Sequence, residues 1–331
     1  MPPFRSFLII QTAFIGDVIL ATGLIEKLRQ YYPEASIDFL LRKGNEGLLT
    51  NHPLLRNVLI WDKKESKIFS LFRLIGVIRN NHYDVVVNIH RYASSGFITA
   101  LSGGTLKIGF DKNPLSFLFN KRIPHQFGAL HEVERNHKLI ESVTDQRCAK
   151  PKLYPSLEDF GKMKPNQSTS YICIAPTSVW FTKQYPVEKW IEFLQSLKNR
   201  RDKIYLLGAP SDYAICESIR LASANDRVVN LAGKLSFLES AALMKGAVMN
   251  FVNDSAPMHI ASAMNAPVTA IYCSTVPSFG YGPLSDRSTT VETREKLDCR
   301  PCGLHGFKTC PKGHFKCGHS ISNAELISSL P

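Results

Sequence analysis

The chain has 331 residues, 44% of them apolar and 21% charged, with a formal net charge of +12. That composition describes a globular protein too long for one ordinary core, so two domains are expected. No apolar run reaches the roughly 18–20 residues of a membrane-spanning helix, and the positive excess is concentrated in residues 1–155, with 21 Lys and Arg against 13 Asp and Glu, compared with 19 against 15 in the remainder.

The N-terminus runs straight into a strand-like apolar stretch and then a loop and helix, without a small-residue cleavage site. No signal peptide is expected, the chain should stay in the cytoplasm, and its eight cysteines should be reduced thiols or metal ligands. Short β-branched runs predict strands at residues 7–11, 37–41, 58–61, 84–89 and 106–110. Helical patterns fall between them at 17–31, 67–80, 94–101 and 131–143. A Pro-, Lys-, Ser- and Asn-rich segment, 156–170, reads as a linker between domains 1–155 and 171–331. The alternation then restarts, with strands at 171–175, 203–207, 228–230, 248–252 and 268–272 and helices at 187–198, 212–222, 236–245 and 257–264. Apolar strands separated by helices imply parallel sheets covered on both faces. The expected fold is α/β, with two doubly wound domains whose ligand-bearing carboxyl edges face one cleft.

The first strand–loop–helix has no GxGxxG and no Walker lysine, so the dinucleotide and P-loop readings fail. Gly16 permits a close approach of loop to helix. Asp17 follows it, and is either a first-turn carboxylate or a general base, kept ionised by a helix dipole that lowers its pKa. The second half opens on a polar loop with hydroxyl donors at Thr177 and Ser178 and a point charge at Lys183, suited to a phosphate. Trp180, Tyr185 and Trp190 read as packing residues. Asp212 either bonds a ribose hydroxyl or caps its helix. The run Asn253-Asp-Ser-Ala-Pro-Met-His259 turns a strand into a small-residue helix, leaving backbone N–H groups and the positive end of a dipole for an anion. Cys299-x2-Cys302, followed by Cys310 and Cys317, is either a half-site for zinc or iron joined to two more loosely spaced thiols, or a loop of unligated cysteines packed under the second domain. No zinc-finger His pair, RNP-type strand or basic heptad region is present, so nucleic acid is not an expected partner.

Taken in order, Gly16-Asp17-Val18, Thr177-Ser178 through Lys183-x-x-Pro186, Gly208-Ala-Pro210, Asn253-Asp-Ser-x-Pro-Met-His259 and the cysteine-rich end resemble the lipopolysaccharide heptosyltransferases, over nearly the whole chain. The resemblance implies a GT-B architecture of two Rossmann-like domains and an inverting transfer that needs no metal cofactor. It makes ADP-heptose the donor and a lipopolysaccharide core precursor the acceptor, met by a peripheral enzyme at the inner-membrane face. By the same likeness Asp17 is the base. Lys183, Thr177 and Ser178 hold the diphosphate, Asp212 the ribose, and Leu235 lies beside the adenine. Asp254, Ser255 and His259 surround the donor sugar and phosphates. Acceptor contacts are expected from Gly16, Arg42, Lys43, Lys63, Lys64, Arg91, Lys121 and Arg122, because an acceptor bearing phosphates or carboxylates suits basic side chains. The chain departs from the family's pattern at Ala256, where Gly is common, at Lys183-Gln-Tyr-Pro186 and at Cys273-Ser-Thr-Val-Pro277. Two other readings stay open. One is an autotransporter-type heptosyltransferase that modifies a protein serine and carries a cysteine-held metal finger. The other is a non-catalytic nucleotide-sugar-binding protein, against which Asp17 speaks.

Overall fold

The computed structural model describes residues 4–63, 67–128 and 130–331. It forms two compact units, Met1–Tyr154 and Pro155–Pro331. The first unit runs β1 (Ser6–Ile10), α1 (Ile15–Tyr31), β2 (Ser36–Arg42), β3 (Asn57–Trp61), α2 (Lys67–Asn80), β4 (Val85–Asn88), α3 (Ala93–Leu101), β5 (Leu106–Phe110), β6 (Lys121–Ile123) and α4 (Glu132–Ile140). The second runs α5 (Leu157–Met163), β7 (Tyr171–Ala175), α6 (Val187–Ser196), β8 (Lys203–Leu206), α7 (Tyr213–Ser223), β9 (Val228–Asn230), α8 (Phe237–Lys245), β10 (Met249–Asn253), α9 (Ala256–Ala263), β11 (Val268–Tyr272), β12 (Ser288–Glu292), α10 (Lys316–His319) and α11 (Asn323–Ser328).

Each unit holds one six-stranded parallel sheet, in the orders β3-β2-β1-β4-β5-β6 and β12-β11-β10-β7-β8-β9. Counted from its own first strand, the second sheet repeats the order of the first. In both, the winding reverses beside the first strand, between β1 and β4 and between β7 and β10. The strands at those reversals are deeply buried. Phe7 to Ile10 are fully buried, and every residue of β7, β10 and β11 is buried. A strand covered on both faces cannot alternate polar and apolar residues, which is why these runs are continuous.

The sequence predicts five strands per sheet and misses β6 and β12. Both are edge strands with exposed polar residues, Lys-Arg-Ile in β6 and Ser-Thr-Thr at the start of β12. One-sided burial leaves them without the apolar signature of the inner strands. The segment 156–170, read as a linker, holds α5 and is part of the second unit. The Ser156 hydroxyl accepts from the Asp159 N–H at 3.1 Å while the Asp159 carboxylate accepts from the Ser156 N–H at 2.7 Å, a reciprocal cap. Lys162 then pairs with Glu239 of α8 at 3.2 Å, and Gln167 donates to the Ala242 carbonyl at 3.1 Å.

The second core is built on aromatics. Trp190 is fully buried, edge-on to Tyr185 with centroids 5.2 Å apart, and Phe193 meets Phe251 at 4.8 Å. Replacing Trp190 with Ala is expected to cost about 3–5 kcal/mol in denaturant melts, the usual result of emptying a large aromatic site; an unchanged midpoint would show that α6 does not need this anchor. Among the described residues, no helix is long and apolar enough to cross a membrane.

Candidate functional site

In a doubly wound sheet the loops on either side of the winding reversal diverge and leave a crevice at the carboxyl edge. In the first unit those are the β1–α1 loop and the segment after β4. Asp17 is the third residue of α1, and its carboxylate accepts from the Phe14 N–H at 3.1 Å. It is raised to about 6, chiefly by burial and then by the charge of Glu132; the Phe14 hydrogen bond and Arg91 pull it back. The sequence reading expected a lowered value from the helix dipole. The observed direction is the opposite, because taking a carboxylate out of water outweighs one turn of helix. At pH 7 the group is still mostly ionised.

Glu132 opens α4, is 6% exposed, and is paired with the buried guanidinium of Arg135, whose Nε donates to it at 2.9 Å. Arg135 also donates to the Gln126 and Leu130 carbonyls at 3.1 and 3.3 Å. After β4, the His90 ring Nδ1 lies 3.2 Å from both the Thr12 and Ser95 hydroxyls. Burial, then the charges of Lys63, Arg91 and Arg42, push His90 down to about 4, so the ring is neutral at pH 7. Lys63 donates to the Thr12 carbonyl at 3.0 Å and to its hydroxyl at 3.3 Å, and is lowered by burial and by Arg42. Arg42 stacks over the exposed Phe14 ring at 4.9 Å.

Of the predicted acceptor residues, Gly16, Arg42, Lys63 and Arg91 thus gather with Asp17 around the β1 edge. Lys43 is spent on Asp62, 2.6 Å away. Lys121 and Arg122 lie on β6, three strands along the sheet from β1. Lys64 lies outside the described residues. Thr12, His90, Glu132 and Arg135 were not anticipated. Only the strand order, which puts β4 beside β1, brings His90 to Thr12.

In the second unit the reversal lies between β7 and β10, and Asn253 at the end of β10 ties the two edges together. Its fully buried amide donates to the carbonyls of Pro176 at 2.9 Å, Thr177 at 3.3 Å and Ala175 at 3.4 Å, and accepts from the Tyr185 N–H at 2.8 Å. This fixes the loop that carries Thr177, Ser178 and Lys183. The Lys183 ammonium sits 2.7 Å from the Asp254 carboxylate, which also accepts from the Thr275 hydroxyl at 2.7 Å. Ser255 is the N-cap of α9 but makes no side-chain cap, Pro257 has no N–H to offer, and buried His259 completes the first turn. The start of α9 therefore presents backbone N–H groups beside the Lys183–Asp254 pair, an arrangement suited to an anion.

Asp212 ends a 3-10 turn after β8, where its carboxylate accepts from the Ala209 N–H at 2.7 Å, and it makes no side-chain cap to α7, which it precedes. The neighbouring junction after β9 meets it through the Gly233 N–H, which donates to the Gly208 carbonyl at 2.9 Å. Gly233 has φ +73°, and a Cβ there would lie 2.7 Å from the Pro210 Cα, so only glycine fits. Half-buried Leu235 follows on the same turn. Trp180 is half-exposed, while Tyr185 and Trp190 belong to the core.

Among the described residues, no group of three or more His, Cys, Asp or Glu could hold a metal ion. Cys299 faces His314 at 3.9 Å, but Cys317 is buried in the second core with Phe315, Ile321 and Leu326, and Cys310 packs against that cluster. Burial pushes the Cys317 thiol up to about 11. A buried protonated thiol behaves as a small apolar side chain, which is how Cys317 packs in this core.

Comparison with known proteins gives one answer. A sequence profile, Glycosyltransferase family 9 (heptosyltransferase), matches residues 71–305. The chain is 29% identical over 280 residues to lipopolysaccharide heptosyltransferase 3 of Escherichia coli, covering 79% of this chain and 82% of that protein. Among solved structures, a glycosyl transferase family 9 protein from Veillonella parvula superposes with a TM-score of 0.87 at 19% identity, over 99% and 97% of the two chains. ADP-heptose lps heptosyltransferase II of E. coli does so with a TM-score of 0.81 at 20% identity, over 98% and 97%. The fold is that of these proteins, and the expected α/β architecture of two Rossmann-like units is the one observed. With its sequence motifs gathered at the two winding reversals and the family profile spanning most of its length, the chain belongs to glycosyltransferase family 9, the heptosyltransferases, and is a glycosyltransferase.

Proposed function

We propose that this enzyme moves heptose from ADP-heptose to a lipopolysaccharide core precursor, with inversion, as a peripheral protein at the inner-membrane face. The observation that carries the reading is that the two switch points hold complementary chemistry: a carboxylate poised near neutrality in the first unit, and a lysine beside a helix N-terminus in the second. The first unit takes the acceptor, whose phosphates or carboxylates meet Arg42, Lys63 and Arg91. The second takes the donor, with Lys183, Thr177, Ser178 and the N–H groups of α9 on the diphosphate. Asp254, Ser255 and His259 lie at the sugar, Asp212 at the ribose and Leu235 beside the adenine.

In the transfer, the acceptor hydroxyl oxygen forms a bond to the anomeric carbon as its proton passes to the Asp17 carboxylate. The bond from that carbon to the β-phosphate oxygen breaks, and ADP leaves with the electron pair. A single displacement inverts the anomeric centre. Positive groups already in position for the departing diphosphate stabilise its charge without reorganisation at the moment of reaction.

The test compares ADP, ADP-heptose, UDP and GDP by calorimetry and thermal shift. ADP and ADP-heptose are expected to stabilise the protein selectively, by about 2.7 kcal/mol at 100 times the dissociation constant. Preference for UDP or GDP would overturn the donor and, with it, the lipopolysaccharide assignment.

A further inference from the structure

The cysteine-rich tail does more than cover the second core. Four consecutive carbonyls at the exit of β11 all accept from it. The Arg300 guanidinium donates to the carbonyls of Tyr272 at 3.2 Å, Cys273 at 2.7 Å and Thr275 at 2.8 Å, while pairing with Glu292 of β12. The fourth, Ser274, accepts from the Cys302 N–H at 2.7 Å. The same tail reaches the loop that carries Lys183. The Thr182 hydroxyl is buried, lies 3.0 Å from the Ser274 hydroxyl, and accepts from the Phe307 N–H at 2.8 Å. The Thr182 N–H donates back to the Phe307 carbonyl at 3.1 Å. At Gly306, with φ +75°, a Cβ would lie 2.8 Å from the Thr182 hydroxyl, 3.1 Å from Lys183 Cγ and 3.3 Å from the Ser274 hydroxyl.

These contacts end on the Lys183–Asp254 pair, whose lysine is proposed to meet the diphosphate. Arg300 holds the Thr275 backbone, the Thr275 hydroxyl holds Asp254, and Asp254 holds Lys183. We infer that residues 300–307 are a positioning element of the donor site, in which Arg300 acts through Thr275 and Asp254 to set the Lys183 ammonium, and Gly306 leaves the room its side chain needs. The inference rests on the donor reading above. A fork-shaped guanidinium suits the role, because its donors are held in one rigid planar group, whereas a lysine ammonium is a point charge on a flexible stem.

The experiment titrates ADP by calorimetry into the full-length wild type and the variants Thr275→Val, Thr275→Ser, Arg300→Gln, Gly306→Ala and Lys183→Ala, all well below their melting temperatures. Thr275→Val, Arg300→Gln and Gly306→Ala are each expected to weaken ADP by about tenfold, the scale of one hydrogen bond to a charged group. Thr275→Ser, which keeps the hydroxyl, should bind as wild type. In turnover the same three variants raise the donor KM and leave the acceptor KM unchanged. If Arg300→Gln does not fold, the Thr275 and Gly306 variants carry the test. Lower melting temperatures with unchanged ADP affinity would mean the tail is only a structural cover, and the proposal fails. A wild type that does not bind ADP overturns the donor reading itself. ADP binding lost in Lys183→Ala but kept in the other three overturns the positioning role alone.

Discussion

Asp17→Asn is expected to remove most of the transfer activity and, at neutral pH, to make the protein more stable. Both effects follow from one feature, a carboxylate raised to about 6 by burial and by Glu132. As the proposed proton acceptor its loss should lower kcat by roughly 10²–10⁴-fold, the usual contribution of a positioned base, with ADP affinity unchanged because the donor site proposed above is built from residues of the second unit. A variant with full turnover would remove Asp17 from the reaction. The wild-type rate carries the same signature. Only the ionised form accepts a proton, so kcat/KM should fall about tenfold per pH unit below about 6.

The stability effect has a definite sign. The folded-state pKa stands above the unfolded value of 3.8, so the folded protein favours the protonated group. The stability this contributes is fully present below about pH 4 and is lost as pH rises through about 6. Asparagine is never charged. Its variant should therefore melt higher than wild type at pH 7–8, with the gap closing below pH 4. Equal melting curves at pH 8 would show that burial does not disfavour the charge. Loss of activity joined to gain of stability is the pattern of a group kept for chemistry at a cost to folding.

Lys183→Ala is expected to damage both binding and folding. The lysine and Asp254 side chains are only 14% and 8% exposed and lie 2.7 Å apart. Removing one partner of a buried pair strands the other, at a cost of about 3–5 kcal/mol. ADP affinity should fall by about 10–100-fold, the value of one charge-assisted contact to phosphate. The double variant Lys183→Ala/Asp254→Asn separates the two effects. Without a stranded carboxylate it should regain most of the lost stability, yet it should bind ADP no better than the single variant. Recovery of affinity along with stability would mean that Lys183 serves only to neutralise Asp254.

Much of this protein is readable along its chain. Among the described residues, ten of twelve strands announce themselves as short apolar runs, and the inner ones are the clearest because a strand covered on both faces has no polar side to hide the signal. The junction motifs at Asp17, Thr177–Lys183, Asp212 and Asn253–His259 are local, since a strand turning into a helix needs its glycine, cap and small residues within a few positions. Tertiary structure alone decided the rest. The edge strands β6 and β12 lack an apolar pattern and exist because a neighbouring strand offers free hydrogen-bonding groups. The raised Asp17 depends on burial and then on Glu132, more than a hundred residues away, and the neutral His90 on burial and then on Lys63, Arg91 and Arg42. The cysteine spacing left a metal half-site and packed thiols both open, and only tertiary packing puts Cys317 into the core and Arg300 onto the exit of β11. Periodicity and turn chemistry are properties of neighbours in sequence and survive in one dimension. Charge coupling, burial and hydrogen bonding between loops depend on distances that the strand order sets.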